Sequence, residues 1–485
     1  MTTSDNDRRD LARGATVNLV GNLFKLADPV LLVAVAATYG AEAFGLFFVA
    51  QAIVLLLLRV ALLGLDKAML WWIPREQGFA PTPLLRRAAT VSVSLAVVLT
   101  AAVVGLAGPG AMEALGRPAE AATPLRLLAL SLPLLVGIEL TTHATMGTRR
   151  MGVNVLVKDV VQPVAFPLLA LGLAALGLQS TGLAWAYLGS NALALGVAWF
   201  GMRRRFSAMP EGTDAPPGLW GYALPMWGAE VSNSLLQRID VLLVEALTAD
   251  LALVGVWGIV AKLSNSLRAI RRSFDPIVAS IAADPAVAQH RLRSVMSRAT
   301  VMVSALQVPV VVFLFVFVDD LLALFGGAFD SAGPPLMILA TCWLFASVLG
   351  LAGVALYARG HSRLHLANIL GTIVLVALLG VVLIPRFALV GAAASVAGGY
   401  LAQAVAQAIQ LRVLTGVWGF DGRSVRPILV GLMALGVASS VRLGLGPWAL
   451  VSTRALFVVA FGLAYGPLLF VATRSSGEPS EASTR

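Results

Sequence analysis

Long apolar runs dominate the sequence, and each is close to the length that an α-helix needs to cross a membrane. A bilayer core is about 30 Å thick and takes about 20 apolar residues per helix, and the chain carries about fourteen such runs. Charged residues make up 12% of the chain, about half the share typical of soluble domains. The sequence therefore predicts an all-α polytopic membrane protein with about 14 transmembrane helices.

The predicted spans follow one another through short connections, so no soluble domain is expected between them. Their approximate bounds are 15–38, 42–65, 88–110, 123–147, 153–176, 181–202, 219–247, 250–272, 296–318, 333–357, 364–384, 388–411, 427–445 and 447–472. Cys342 is the only cysteine, and the chain has four histidines. No disulfide framework, metal site or cofactor is therefore predicted. The lack of a Walker lysine motif argues against ATP hydrolysis.

The basic residues indicate the orientation of the chain. The formal net charge is +10, and most arginines and lysines share one side of the membrane if the N-terminus is cytoplasmic. The exceptions on the outer side are Arg117, Arg126, Arg386, Arg442 and Arg454. By the positive-inside rule, both termini are expected in the cytoplasm. The positive charge then follows from topology and from contact with anionic membrane lipids, and nucleic acid is not expected as a partner.

The first half of the chain recurs in the second half. The pattern G-x-A-x-[AS]-x-x-G begins at Gly182 and again at Gly391, and Gly45 has a counterpart roughly 210 residues later. Six spans in each copy return the chain to its starting side, so the copies are expected to be parallel repeats. The predicted division is an N-lobe over 1–202, a linker over 203–218, a C-lobe over 219–411, two extra helices over 427–472 and a tail over 473–485.

Seven ionisable side chains within the predicted spans are candidates for function. An ionised side chain that faces lipid at mid-depth costs about 2.5 to 3.5 kcal/mol, so these residues are expected to face protein or water. They are Lys25, Asp28, Arg59, Glu139, Glu230, Arg238 and Asp240.

Span 7 carries a polar stripe along one face of its predicted helix. Its members recur at i, i+3, i+4, i+7 and i+8 and are Glu230, Asn233, Ser234, Gln237 and Arg238. Span 1 has a similar stripe, formed by Asn18, Asn22 and Lys25. Because spans 1 and 7 are equivalent helices of the two copies, we expect the stripes to face each other across a central cavity.

Local pairing is an alternative explanation for several of these residues. Lys25 and Asp28 are three residues apart and can pair with each other, and Arg59 lies near enough to the cytoplasmic end to snorkel. Glu139 and His143 are four residues apart in span 4. They can form a proton relay, or His143 can cap the helix near the inner surface.

Two stretches of the sequence resemble a known family. The run over 18–33, N-L-V-G-N-L-F-K-L-A-D-P-V-L-L-V, follows a basic tail, and 39–51 reads Y-G-A-E-A-F-G-L-F-F-V-A-Q. With the repeat and the two extra spans, these stretches resemble the polysaccharide transporter family of oligosaccharide flippases, of the O-antigen (Wzx-like) type. The superfamily of these flippases also contains the MATE exporters and the lipid II flippases.

The resemblance implies two six-helix lobes that alternate between inward-open and outward-open states in the bacterial inner membrane. The implied substrate is a polyprenyl-pyrophosphate-linked oligosaccharide for surface polysaccharide or O-antigen assembly, and polymerase or assembly proteins are implied partners. The implied anion contacts are Lys25, Arg59 and Arg238, and the implied sugar contacts are Asn233 and Gln237. The implied residues for coupling to a proton or sodium gradient are Asp28, Glu139, Glu230 and Asp240.

Three other functions are considered as alternatives. A MATE-type drug or cation antiporter is expected to have a carboxylate-dominated, aromatic cavity, whereas cations and amides share the stripe of span 7. The lipid II branch resembles this chain less, because that branch carries an adjacent Arg-Asp pair in its first helix and here Lys25 and Asp28 are three residues apart. A membrane enzyme such as a glycan polymerase is not expected, because the outer loops are short.

Overall fold

A computed structural model describes most of the chain and confirms an all-helical membrane protein. The described residues are 27–73, 80–114, 119–148, 151–178, 181–207, 209–210, 218–283, 289–349, 351–418, 422–434, 458, 461–467 and 469. Within them the chain forms helices and no β-strand. Eight of the described helices are long and apolar enough to cross a membrane, as the apolar runs predict.

The helices of the first half, up to the linker, pack as a bundle. They are α1 (Ala27–Leu62), α2 (Leu65–Trp72), α3 (Thr82–Leu106), α4 (Pro109–Ala114), α5 (Ala122–Ala129), α6 (Leu132–Gly147), α7 (Gly152–Val155), a π-helical segment (Leu156–Val161), α8 (Gln162–Ala175) and α9 (Gly182–Phe206).

The second half continues the same architecture. Its helices are α10 (Leu219–Leu236), α11 (Ile239–Thr248), α12 (Leu251–Arg272), α13 (Asp275–Ala282), α14 (Gln289–Ala323), α15 (Gly333–Val348), α16 (Ala352–Ala358) and α17 (Ser362–Thr415).

Each predicted span from the second to the twelfth is helical within the described residues. However, some predicted spans are divided between two helices, and others are joined in one helix. Spans 1 and 2 join in α1 across a kink at Gly40, where φ is 79°. Spans 11 and 12 join in α17 across a kink at Ala388, where φ is 46°. Glycine adopts such a positive φ readily, whereas alanine does so at a cost. Most of spans 13 and 14 lies outside the described residues.

The chain separates into two compact units. The first unit contains the residues up to Gly258 together with Ala323–Asp330, and the second contains Ile259–Leu322 and the residues from Ser331 onward. Helices α10 and α11 therefore pack with the first half of the chain. The predicted division into two lobes of six helices stays a prediction. It rests on the sequence repeat, whereas the two compact units reflect how the helices pack in one conformation.

One helical element occurs in both halves at the separation of the sequence repeat. Helix α1 ends at Leu62, a two-residue turn follows, and α2 extends over eight residues. Helix α12 ends at Arg272, a two-residue turn follows, and α13 also extends over eight residues. The equivalent residues lie roughly 210 positions apart, which is the offset of the predicted repeat.

Two glycines at equivalent positions of the repeat pack against each other within the first unit. A Cβ added to Gly45 would overlap the backbone carbonyl of Leu251, and a Cβ added to Gly255 would overlap that of Ala41. Helices α1 and α12 therefore approach each other at backbone distance. Only glycine permits this approach, as in the small-residue crossings of membrane helices.

The π-helical segment between α7 and α8 has a local cause. The backbone N–H of Gln162 donates to the carbonyl of Val157, five residues earlier, as in a π-helix. Pro163 follows immediately. Because proline has no N–H and its ring crowds the carbonyl four residues earlier, it disfavours the regular α-helical pattern at this point. The wider turn contains Lys158, which belongs to the charged cluster described next.

Candidate functional site

Charged side chains from five elements of the first unit form one cluster, which we call the N-cluster. Arg59 lies in the last turn of α1, and Asp66 and Lys67 lie in the first turn of α2. Glu139 and His143 lie one turn apart on α6, and the π-helical segment and α10 each contribute one further residue. The N-cluster consists of Arg59, Asp66, Lys67, Glu139, His143, Lys158 and Glu230.

Glu139 is the best-paired carboxylate of the N-cluster. Its Oε2 accepts a hydrogen bond from Lys158 Nζ at 2.8 Å. Its Oε1 lies 3.7 Å from Arg59 Nη2, and its Oε2 lies 3.3 Å from His143 Nδ1. A buried carboxylate requires such charged partners because burial alone disfavours its ionised form.

Asp66 is buried behind three basic groups and makes looser contacts. Its Oδ2 lies 3.6 Å from Arg59 Nη1, 3.8 Å from His143 Nε2 and 3.9 Å from Lys67 Nζ. These distances exceed that of a hydrogen bond, and Oδ2 has no hydrogen-bond partner. The electrostatic attraction is therefore shared among three neighbours and optimal for none.

Exposure divides the N-cluster into a buried side with two carboxylates and an accessible side with three cations and Glu230, whose side chain is 24% exposed. The side chains of Asp66 and Glu139 are 2% and 11% exposed. Those of Arg59, Lys67 and Lys158 are 24%, 26% and 28% exposed. The surface that a ligand can reach is therefore lined mainly by cations.

Glu230 joins the N-cluster from the second half of the chain. Its Oε1 lies 3.6 Å from Lys67 Nζ, so an ion pair connects α10 with α2. The same two helices are held together by Trp71 and Tyr222, whose rings stack with centroids 4.9 Å apart. Gly64, just before α2, packs against the backbone of α10.

The predicted stripe of span 7 is interrupted, because α10 ends at Leu236 and α11 begins at Ile239. Gln237 and Arg238 lie in the break, so the five residues do not share one continuous helix. Arg238 Nη1 donates to the Ser234 hydroxyl and carbonyl, both at 3.1 Å. Gln237 Nε2 donates to the carbonyl of Asn233 at 3.3 Å.

The other predicted site residues have varied positions. Asp240 Oδ2 accepts a hydrogen bond from Trp257 Nε1 at 3.2 Å. Asp28 lies on the described backbone of α1, whereas its side chain and the whole of Lys25 lie outside the described residues. The structure thus brings Arg59, Glu139 and Glu230 into one cluster, and their predicted roles stay predictions.

Four residues of the N-cluster are not among the predicted site residues, although the sequence analysis considers one of them, His143, as a partner of Glu139. Asp66 and Lys67 follow the end of the predicted span 42–65 and therefore fall in a connecting segment. Lys158 lies inside the predicted span 153–176 but is not one of the seven candidates. That position was a usable signal, since an ionisable residue within a span is a candidate for function by itself.

A network of amides and aromatic rings lies next to the charged residues in the first unit. The Tyr187 hydroxyl is hydrogen-bonded to Gln51 and Asn191, and Gln162 Nε2 donates to Asn191 Oδ1 at 2.8 Å. The rings of Phe47 and Phe166 stack with centroids 5.2 Å apart beside Tyr187. Amides with aromatic faces are groups that suit sugar hydroxyls and ring C–H faces.

The second unit has a different cationic cluster, which we call the C-cluster. The Arg268 guanidinium carbon lies 5.0 Å from the ring centroids of both Trp343 and Tyr400, within the range of cation–π attraction. The two rings contact each other edge to face at 4.8 Å. The C-cluster therefore holds Arg268 by aromatic faces.

One carboxylate accompanies the arginines at the end of α12. Arg271 Nη1 donates to Asp275 Oδ1 at 3.3 Å, and Arg272 is a further neighbour. Burial raises the pKa of Asp275, although the three nearby arginines act in the opposite direction. The C-cluster consists of Arg268, Arg271, Arg272, Asp275, Trp343 and Tyr400.

Asp66, Glu139 and His143 are close enough together to be considered as metal ligands. One ligand atom from each lies within 4.8 Å of the other two. However, Arg59, Lys67 and Lys158 also lie within 4.0 Å of these carboxylates. Their charges compete with a metal cation for the same oxygens. We therefore assign no metal to the N-cluster.

The apolar helices of this fold define a multi-pass helical membrane protein. The model of the polysaccharide biosynthesis protein family matches residues 40–332, and the chain belongs to that family. No curated protein matches the sequence.

Several solved transporters share the fold. The lipid II flippase MurJ in an inward closed conformation superposes with a TM-score of 0.73 at 9% identity, over 95% of this chain and 100% of the other. A multidrug resistance MATE family transporter of the MOP superfamily, in an inward-facing conformation, gives 0.62 at 14% identity, over 81% and 94%. A MOP superfamily transporter from Pyrococcus furiosus gives 0.53 at 15% identity, over 82% and 92%. At these identities the likeness is one of fold.

Proposed function

We propose that the protein is a flippase that moves a polyprenyl-pyrophosphate-linked oligosaccharide across the bacterial inner membrane by alternating access. Both termini then face the cytoplasm, and the glycan serves surface polysaccharide or O-antigen assembly, with polymerase or assembly proteins as partners. Membership of the polysaccharide biosynthesis family and the flippase-like fold support this proposal. An ion gradient drives the transport.

The observation that carries the proposal is the division of charge in the N-cluster. Three cations and the Glu230 carboxylate are each about one quarter exposed, and the other two carboxylates are buried. A ligand that reaches this surface therefore meets three ammonium or guanidinium groups and one carboxylate, and the cations favour phosphate oxygens. A pyrophosphate group has the required charge. An organic cation would instead meet like charge.

The individual roles are those that the resemblance implies. Arg59, Arg238 and Lys25 are the anion contacts, and Asn233 and Gln237 bind sugar hydroxyls. The amide and aromatic network around Tyr187 lies behind this surface, since Asn191 and Phe47 are buried. Residues proposed for ion coupling are Asp28, Glu139, Glu230 and Asp240.

Glycan export in a strain that lacks its own flippase tests the proposal. Charge reversal in Arg59→Glu or Arg238→Glu is expected to reduce export at least tenfold while the protein stays in the membrane, because the anion contact becomes a repulsion. Arg204→Glu is the matched control, since Arg204 is exposed at the end of α9. Unchanged export in both variants would overturn the assignment of these residues.

Three further assays separate the alternatives. Dye efflux from a pump-deficient strain expressing the protein would favour a MATE-type exporter. Export of lipid II in place of an oligosaccharide would favour the lipid II flippase. Covalent glycan product formed by the purified protein would show an enzyme. The proposal expects none of the three.

A further inference from the structure

His143 occupies a position in the N-cluster that fixes which of its ring nitrogens carries the hydrogen. Nδ1 lies 2.7 Å from the backbone carbonyl oxygen of Glu139 and 3.3 Å from the Oε2 atom of the same residue. Both neighbours only accept hydrogen bonds. Nδ1 therefore carries the hydrogen of the neutral ring and donates it to the carbonyl.

The other ring nitrogen, Nε2, is then a hydrogen-bond acceptor, and the atom that faces it is also an acceptor. Nε2 of the neutral ring has a lone pair, and Asp66 Oδ2 lies 3.8 Å from it. This carboxylate oxygen is buried and has no hydrogen-bond partner. A buried charged acceptor without a hydrogen-bond partner is unfavourable. A proton bound at Nε2 makes this nitrogen a donor, and an approach of the two atoms from 3.8 Å to hydrogen-bond length then gives Asp66 Oδ2 a partner.

We propose that His143 Nε2 and Asp66 Oδ2 together form a binding site for one proton. His143 is the formal carrier of this proton, and Asp66 Oδ2 accepts its hydrogen bond. The ligand is thus a hydrogen ion, bound in the first unit between α6 and α2.

The groups around this site favour a proton over a metal cation or sodium. Within the described residues, the charged groups within 4.0 Å of His143 or of its two carboxylate neighbours are Arg59 on α1, Lys67 on α2 and Lys158 in the π-helical segment, beside Asp66 on α2 and Glu139 on α6 themselves. A sodium ion requires several oxygen ligands in one shell. Here basic side chains occupy the surroundings of both carboxylates, whereas a proton requires only the two facing atoms.

The formal charges of the N-cluster balance when His143 is neutral. The anions are Asp66, Glu139 and Glu230, and the cations are Arg59, Lys67 and Lys158. A bound proton makes the cluster positive and gives Asp66 a hydrogen-bond donor of its own. Lys67, which lies between Asp66 and Glu230, then interacts more strongly with Glu230 on α10. Proton binding is thereby linked to the contact between α2 and α10.

The role of this site in transport depends on the proposed function, but the site itself does not. It can be tested directly by the ring nitrogen signals of ¹⁵N-labelled histidine in the purified full-length protein. The chain has four histidines, so replacing His290, His361 and His365 by Gln leaves His143 as the only signal. We expect the Nδ1–H neutral form at high pH and a doubly protonated ring at low pH.

The matched pair of variants is Asp66→Asn and Asp275→Asn in this single-histidine background. The two aspartates begin equivalent short helices, but Asp275 pairs with Arg271. Asp66→Asn is expected to weaken proton binding at His143 by about tenfold or more, because an opposite charge within 4 Å is removed. Asp275→Asn should leave it unchanged. The proposal would be overturned if the His143 ring kept one protonation form from about pH 4 to 9. It would also be overturned if Asp66→Asn left the titration of the ring unchanged.

Proteoliposomes with an imposed pH gradient separate this inference from the proposed function. If the site is used in transport, glycan flipping by the wild type follows the gradient, and flipping by His143→Gln loses that dependence. A titrating His143 with gradient-independent flipping would uphold the proton site and contradict proton coupling. A titrating His143 without any glycan flipping would uphold the site and contradict the proposed function.

Discussion

The N-cluster and the C-cluster show how one helical element can hold cations in two chemical environments. In both halves an arginine in the last turns of a long helix is followed, seven residues later, by an aspartate that begins the short helix: Arg59 and Asp66 in one, Arg268 and Asp275 in the other. In the N-cluster the arginine contacts carboxylates. In the C-cluster it lies over aromatic rings.

This difference determines which cluster can change its charge. Carboxylates and His143 surround Arg59, so proton binding or a new anion can alter the balance of the N-cluster. Arg268 is held by the quadrupoles of the Trp343 and Tyr400 rings, which carry no charge. The three arginines of the C-cluster outnumber Asp275, so the C-cluster is cationic in either protonation state of this carboxylate, whereas the N-cluster changes from balanced to positive when it binds a proton.

The largest loss of stability is expected at the paired glycines Gly45 and Gly255, where the two halves are most alike. Gly45→Ala and Gly255→Ala should each destabilise the protein by about 3 kcal/mol, because the added Cβ meets a backbone carbonyl that cannot rotate away. Equal losses would support equivalent positions of the repeat. Thermal unfolding in detergent, followed by size-exclusion chromatography, measures the loss.

Gly172→Ala is the control for this pair. Gly172 also lies in a membrane helix, but a Cβ there has no atom within 4 Å. Alanine is the better helix former, so the variant should be as stable as the wild type or slightly more stable. A stable Gly45→Ala variant would show that α1 and α12 do not cross at backbone distance.

The next largest loss of stability should differ between the N-cluster and the C-cluster. Arg59→Met is expected to cost about 2 kcal/mol, because it leaves Asp66 and Glu139 with fewer cations in a buried setting. Arg268→Met should cost about 1 kcal/mol or less, since it removes cation–π attraction but also relieves repulsion from Arg271 and Arg272. Urea or thermal unfolding of both variants compares them. A larger loss for Arg268→Met would reverse the comparison.

The positions of the helices could be predicted from the sequence, because the bilayer sets the length of an apolar span. Predicted span 181–202 and α9 (Gly182–Phe206) differ by only a few residues at each end. Breaks within spans were not predicted. The break at Gln237 and Arg238 and the π-helical segment before Pro163 depend on local backbone geometry, which hydropathy does not report.

The composition of the N-cluster was predicted only in part. Arg59, Glu139 and Glu230 were selected because each interrupts an apolar run. Asp66 was not, because a carboxylate in a connecting segment is usually solvated, and only tertiary packing buries it at 1% exposure. The aromatic setting of Arg268 was also missed, since Trp343 and Tyr400 are distant in sequence and look like ordinary membrane residues.

The smallest expected effect concerns two tyrosine hydroxyls. Tyr187→Phe should cost about 1 kcal/mol, because it removes a hydroxyl that is hydrogen-bonded to Gln51 and Asn191 inside the first unit. Tyr400→Phe should cost a few tenths of a kcal/mol, about the limit of a thermal unfolding assay. Its hydroxyl contacts Arg268 at 3.4 Å, and phenylalanine keeps the ring face that attracts the guanidinium.

The comparison of these two variants tests whether polar contacts or ring faces organise each cluster. If Tyr400→Phe lowered the stability as much as Tyr187→Phe, the hydroxyl and not the ring would hold Arg268. Hydrogen bonds would then organise the C-cluster as well. A negligible loss for Tyr400→Phe together with a loss for Tyr400→Leu would locate the interaction in the ring face. Arg268 would then be held by a group that no proton can neutralise.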